Sequence, residues 1–145
     1  MSNLHSIIYT SKSTINWTDS ELKGLLNKAH HKNQQRGITG ILIYINDRFI
    51  QVIEAENPLV LHQLMETIQM DERHEEIFTL FQSPILERAF PSWTMGLLKC
   101  ADAREFEELS GYADVDLFMQ DIRTWNRWNP AFEFLKLFYQ KNTGL

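Results

Sequence analysis

The segment Phe49-Ile50-Gln51-Val52-Ile53-Glu54 decides the fold. Its β-branched and aromatic residues read as a strand, and strand alternation puts Phe49, Gln51 and Ile53 on one face and Ile50, Val52 and Glu54 on the other. One amide, Gln51, interrupts the run where another Val or Ile would pack more simply. Two readings stand: Gln51 is partly exposed or fills a spare hydrogen bond in the core, or it is buried beside a ligand. A buried amide left unpaired costs roughly 1 to 3 kcal/mol, so a buried Gln51 requires partners. A planar ligand rich in donors and acceptors supplies them, and a nearby Tyr hydroxyl supplies one more.

The flanking sequence builds a sheet around this strand. "GITGILIYI", Gly37 to Ile45, is a second strand, and Asn46-Asp47 supplies the turn that returns the chain as a hairpin. Upstream, "LHSIIYTSK" predicts a strand from about Leu4 to Thr10. "TDSE", Thr18 to Glu21, then has the form of a capping box, followed by Leu22, Leu25, Leu26 and Ala29 at helical spacing. That helix should end near Gly37. Downstream, Asn57-Pro58 opens a helix with Leu61, Leu64, Met65 and Ile68 inward, stopping around Asp71 to His74. "IFTLFQSPI" and "SWTMGLLK" predict two further strands. The order strand, helix, strand, strand, helix, strand, strand implies an α+β sheet with both helices on one face.

From Ala101 the pattern changes. "ADAREFEELS", "DVDLFMQDIRTW" and "PAFEFLKLFYQK" predict helices, the last capped by Asn129 with Pro130 at its first position. Trp125, Trp128, Phe132, Leu135 and Tyr139 recur at three and four residues, and so aromatic a tail packs on the sheet, on itself or on another subunit.

Composition bounds the function. With 145 residues the chain holds one sizeable core. At 43% hydrophobic and 23% charged it reads as a soluble globular protein. A net charge of −5 argues against nucleic acid, whose phosphates demand a concentrated positive field. Cys100 is the only cysteine, which excludes an intrachain disulfide and a cysteine metal cluster. No secretory or membrane-spanning pattern is visible, so a cytoplasmic location with no membrane partner is expected. His30 and His31 point to different sides of a helix and form no metal pair.

Polar residues close the inward stripes. Three and four residues beyond Ala29 lie Lys32 and Asn33, and three beyond Ile68 lies Asp71. Ile7 and Tyr9 share a face of the first strand, as Trp93 and Met95 share one of the last. Periodicity leaves open which faces look at the helices. A common inward choice gathers Tyr9, Asn33, Gln51, Asp71, Trp93 and Met95 around one space.

These residues carry a family resemblance. "IIYTSK" with its tyrosine, "GITGILIY" preceded by Asn33, "FIQVIE", "DERH" and "FPSWTMG" occur in order over about residues 4 to 99, and the chain resembles the BLUF domain, a blue-light sensor with a ferredoxin-like βαββαββ fold. The resemblance implies a photosensory domain over 1–100 that binds flavin non-covalently between its two helices, FAD being favoured and FMN the alternative, with a C-terminal helical extension over 101–145. It implies that Tyr9 donates an electron and a proton and that Gln51 sits between the Tyr9 hydroxyl and the flavin's N5 and C4 carbonyl edge. It also implies that Asn33 bonds the ring, that Asp71, Arg73 and His74 form a polar segment beside it, and that Trp93 and Met95 relay the change outward. Lys32 departs from the Asn or His common there, placing a positive charge near the flavin. Ala55 replaces a usual glycine, which would strain the chain if that position needs positive φ. The implied protein is no enzyme: it signals to a downstream protein, with a homo-oligomer expected.

Two other classes compete. An acylphosphatase-like hydrolase on the same fold needs an anion-cradling loop, and "SKSTINW" offers no glycine. An RNA-recognition module needs basic, aromatic central strands, which the acidic chain lacks. A ligand-binding module without photochemistry is the remaining alternative.

Overall fold

A computed structural model of the chain describes residues 3–91, 96–99, 112–114, 119, 122 and 127–144. Its elements are β1 (His5–Ser13), α1 (Asp19–Arg36), β2 (Thr39–Ile45), β3 (Arg48–Ala55), α2 (Pro58–Gln69), β4 (His74–Pro84), β5 (Gly96–Lys99), β6 (Tyr112–Asp114) and α3 (Pro130–Thr143). The strands form one sheet in the order β4-β1-β3-β2-β5-β6. β1 pairs antiparallel with β3 and β4, and β2 antiparallel with β3, while β5 runs parallel to β2 and β6 parallel to β5. The first four strands and two helices match the α+β, ferredoxin-like expectation.

Local chemistry sets the element ends. Thr18 Oγ1 accepts from the Glu21 N–H at 3.1 Å while Glu21 Oε1 accepts from the Thr18 N–H at 3.2 Å, completing the capping box that starts α1. Gly37 ends the helix in the left-handed region at φ 68°. Asn46 and Asp47 both take positive φ, 49° and 65°, as a two-residue hairpin turn with the twist of its strands requires. Asn57 caps α2 and Asn129 caps α3, each with proline just inside the helix.

Two cores lie on opposite sides of the sheet. Ile7, Tyr9, Leu42, Phe49 and Ile53 face Leu22 and Leu26 of α1 and Leu61 and Met65 of α2. Ile8, Ile41, Ile43, Ile50 and Val52 face Phe132, Leu135, Phe138 and Tyr139 of α3, with Met119, Ile122 and Phe90. α3 therefore packs on the sheet face that α1 and α2 leave open. Trp128 stands apart from this stripe, 68% exposed, and Trp125 lies outside the described residues. Among the described residues no helix is long and apolar enough to cross a membrane.

Three expectations change. β6 occupies Tyr112–Asp114, so Asp114, expected to open a helix, lies in a strand; three residues are too few to show a strand period. β4 starts at His74 rather than Ile77, and its pairing with β1 shifts register twice, which blurs alternation along its sequence. Ala55 is 1% exposed and absent from the positive-φ residues, so the strain anticipated there does not arise. The helix expected over 101–110 lies outside the described residues.

Gly40 has a steric reason to be glycine. A Cβ there would lie 1.9 Å from the Val52 carbonyl oxygen, a backbone atom of the neighbouring strand that cannot rotate away. Gly40→Ala is therefore expected to push β2 from β3 and cost about 3 kcal/mol or more. The measurement is the denaturant midpoint; a shift corresponding to less than about 1 kcal/mol would refute the close approach.

Candidate functional site

β1 and β3 are adjacent and antiparallel, and their register sets Tyr9 directly opposite Gln51. Cross-strand neighbours place their Cβ atoms about 5 Å apart on the same face, within reach of a phenol and an amide. The Tyr9 hydroxyl donates to Gln51 Oε1. Both residues lie in the α1–α2 side of the molecule, Tyr9 at 4% and Gln51 at 9% exposure, so the amide is buried. With Oε1 turned to Tyr9, the Gln51 NH2 turns away from it.

Burial controls the acidity of Tyr9. It pushes the phenol well above its ordinary value, and the negative charge of Asp71 adds to the effect. Tyr9 is thus protonated at neutral pH and enters the hydrogen bond as the donor.

The segment after α2 frames this pair. His74 meets the Tyr9 ring edge-on, with centroids 6.4 Å apart. Its Nε2 lies 2.6 Å from the Ile68 carbonyl, an acceptor, so Nε2 carries the proton; in the neutral ring Nδ1 then accepts from the Ser11 hydroxyl at 2.9 Å. Arg73 grips Asp71 through Nε–Oδ1 at 2.9 Å and a terminal nitrogen to Oδ2 at 2.7 Å. That guanidinium holds the Asp71 carboxyl down at about 2, against the opposing effect of partial burial. Arg73 also lies over the Trp17 ring, 4.7 Å from its centroid. The Thr14 N–H and hydroxyl donate to the carbonyls of Arg73 and Glu72, tying the segment to the end of β1.

Helix geometry separates the two candidates on α1. Asn33 lies eleven residues beyond Leu22, about three full turns, and so points where Leu22 points; Lys32 falls about 80° short of that direction. Accordingly Asn33 is buried and Lys32 is exposed, correcting the inward placement expected of Lys32. Tyr9, Gln51, His74 and the Asp71–Arg73 pair are brought together, with Asn33 on the same side of the sheet. Trp93 and Met95 lie outside the described residues.

Sequence reasoning missed two residues here. Ser11 lies two positions beyond Tyr9 and shares its face, a relation that strand alternation exposes. Trp17 lies in a loop, where no periodicity points. Its ring packs edge-on against Phe49 at 5.8 Å, and its buried Nε1–H has no hydrogen-bond partner among the described residues.

The chain is similar in sequence and fold to known proteins. The family model described as BLUF, sensors of blue-light using FAD, matches residues 4–96. The photoactivated adenylate cyclase subunit beta of Euglena longa is 33% identical over 95 residues, 65% of this chain; the match spans only 11% of that protein's length. The structure of Klebsiella pneumoniae BlrP1 with FMN and cyclic diGMP superposes with a TM-score of 0.71 at 25% identity, over 93% of this chain and 34% of the other. BlrB, a BLUF protein in its dark state, superposes with a TM-score of 0.66 at 26% identity, over 100% of this chain and 99% of that one. The family match covers well over half of the chain and the fold agrees with the superposed structures, and the chain belongs to the BLUF family of flavin-using blue-light sensors.

Proposed function

We propose that this chain is a photoreceptor in which Tyr9 and Gln51 form the light-responsive pair beside a non-covalently bound FAD. The observation that carries the reading is their buried hydrogen bond between adjacent strands. The residues present fit a flavin. Two amides, Asn33 and Gln51, are buried on the helix-facing side and offer donors and acceptors matched to a ring edge with both. The Trp17 N–H supplies a further buried donor. FAD rather than FMN follows the family's description, although BlrP1 is described with FMN.

A bound flavin supplies absorption of blue light and an excited state able to accept an electron. Tyr9, neutral and buried, would be the electron donor, and its hydroxyl proton, shared in the hydrogen bond to Gln51 Oε1, would return to it when the electron returns. A phenol can donate or accept, so Gln51 can turn its amide end for end and still bond Tyr9. The turn exchanges a donor for an acceptor on the side away from Tyr9. Asn33 holds the ring from α1, while His74 and the Asp71–Arg73 pair fix the edge of the site. Lys32, exposed at the end of α1, adds positive charge at its rim.

The photosensory unit is residues 1–100 and the extension 101–145, in keeping with a family match that ends at residue 96. The signal leaves through Trp93, Met95 and the C-terminal helices to a downstream protein, in a cytoplasmic homo-oligomer. The Euglena relatives, described as photoactivated cyclases, carry such a match within far longer chains.

The purified protein is expected to be yellow, to release flavin on denaturation and to shift its absorption slightly to the red under blue light. A colourless protein that takes up no added flavin sinks the proposal. Tyr9→Phe is expected to keep the flavin and lose the red shift; an unchanged photocycle removes Tyr9 from the donor role. Asp71 adds a pH test. Its folded value, about 2, lies below the unfolded carboxylate, so its stabilisation is complete above pH about 4 and is lost as pH falls toward 2. The pair is partly exposed, so the loss amounts to about 1 kcal/mol after solvent screening. Denaturation of Asp71→Asn across that window should lack this component; identical acid limbs in the two proteins would contradict it.

A further inference from the structure

Glu54, on β3, is a carboxylate buried to 1% exposure on the sheet face opposite Gln51. Its Oε1 accepts from the Thr39 hydroxyl at 2.8 Å and the Phe90 N–H at 2.8 Å, and its Oε2 accepts from the Ala89 N–H at 2.9 Å. Arg88 braces the same spot, donating to Thr39 Oγ1 at 2.7 Å, to the Glu54 carbonyl at 3.2 Å and to the Gly37 carbonyl at 3.1 Å. The segment between β4 and β5 is thus fastened to β3 through consecutive peptide N–H groups.

The same segment is gripped from the other side. The Asn129 amide, which also caps α3, donates to the Glu87 carbonyl at 3.1 Å. Arg127 donates to the carbonyls of Arg88 at 3.2 Å and Ala89 at 2.8 Å. The Phe90 ring meets Phe132 of α3 at 6.1 Å. Residues 87–90 therefore link β3 to the start of α3, with N–H groups committed to one and carbonyls to the other.

We propose that Glu54 is a positioning residue for signal output: it makes residues 87–90 a joint through which a change at Gln51 reaches α3. The proposal rests on the photoreceptor reading above. Gln51 and Glu54 are three residues apart on one strand, about 10 Å along it, and an odd spacing sends them to opposite faces. A shift of β3 that accompanies re-pairing of Gln51 moves the Glu54 carboxylate. Two oxygens bonded to two successive N–H groups fix both position and tilt, so the joint follows, and its carbonyls carry Arg127 and Asn129 with it. The route runs beside any path through Trp93 and Met95 and does not need one.

Glu54→Gln is the test, because an amide keeps the shape and turns an NH2 toward one of the donors. Amide hydrogen exchange is followed by residue in darkness and under blue light, together with the flavin spectrum. In darkness the exchange of Ala89 and Phe90 is expected to rise about tenfold or more, as for loss of a charge-assisted hydrogen bond. The red shift is expected to persist, since Glu54 touches neither Tyr9 nor Gln51. The wild type should show a light-dependent difference in exchange from Phe132 to Tyr139, and the variant should lack it. A red shift in the wild type with no difference in α3, or a full difference retained in the variant, overturns the proposal. A wild type without a red shift overturns the photoreceptor reading instead, and unchanged dark exchange at Ala89 and Phe90 then overturns the clamp on its own. If Glu54→Gln does not fold, Arg127→Met cuts the joint from its exposed side; loss of the α3 difference with the red shift kept supports the proposal, and its retention refutes it.

Discussion

Burial of β3 on both faces constrains everything else. From Phe49 to Ala55 the strand is closed to water, by α1 and α2 on one side and α3 on the other. A polar group on such a strand must find its partners inside the protein or in a ligand. Only Gln51 and Glu54 carry polar side chains there, and strand alternation sends them opposite ways. Gln51 meets Tyr9 on the helix-facing side, and Glu54 meets Thr39, Ala89 and Phe90 on the other. The site and the joint to α3 are two answers to one demand.

The supports around Tyr9 suit the proposed switch, since a movable hydrogen bond needs immobile neighbours. His74 has both ring nitrogens engaged, by Ser11 on β1 and by the Ile68 carbonyl at the end of α2. Asp71 is matched by Arg73, which also lies over the Trp17 ring. In the proposed switch neither group has to move for the Gln51 amide to turn, while burial, with the charge of Asp71 adding to it, raises the pKa of the neighbouring phenol above its ordinary value. The freedom of the site is confined to one side chain.

Much of this was legible in the sequence because it depended on local rules. Capping boxes, proline at the first helical turn and the two-residue hairpin turn are written in a few adjacent residues, and α1, the β2–β3 hairpin, α2 and α3 appear where those residues put them. The pairing of Tyr9 with Gln51 was legible only as a possibility, since periodicity divides faces without saying what covers them. Lys32 and Asn33 show the same limit: both extend the apolar stripe by an allowed step, and only counting full turns from Leu22 separates them. Glu54 was invisible as a clamp. It stands next to the last residue of a strand, where charged residues are common, and its peptide partners lie 35 and 36 residues downstream in a segment without periodicity.

The location of α3 makes the output problem one of crossing the sheet. Tyr9 and Gln51 face α1 and α2, whereas α3 packs on the opposite side against β2 and β3. A side chain that turns within one core exerts no direct force on the other core, because the strand backbone lies between them. What both faces share is the strand itself, so in the proposed mechanism the signal is a displacement or twist of backbone, read out by a residue rigidly attached on the far side. Apolar contacts slide, and Ile50 and Val52 can keep theirs while the strand moves. A carboxylate bonded to two successive peptides cannot slide, which is why a buried charge, costly to fold around, is a better lever than another isoleucine at that position.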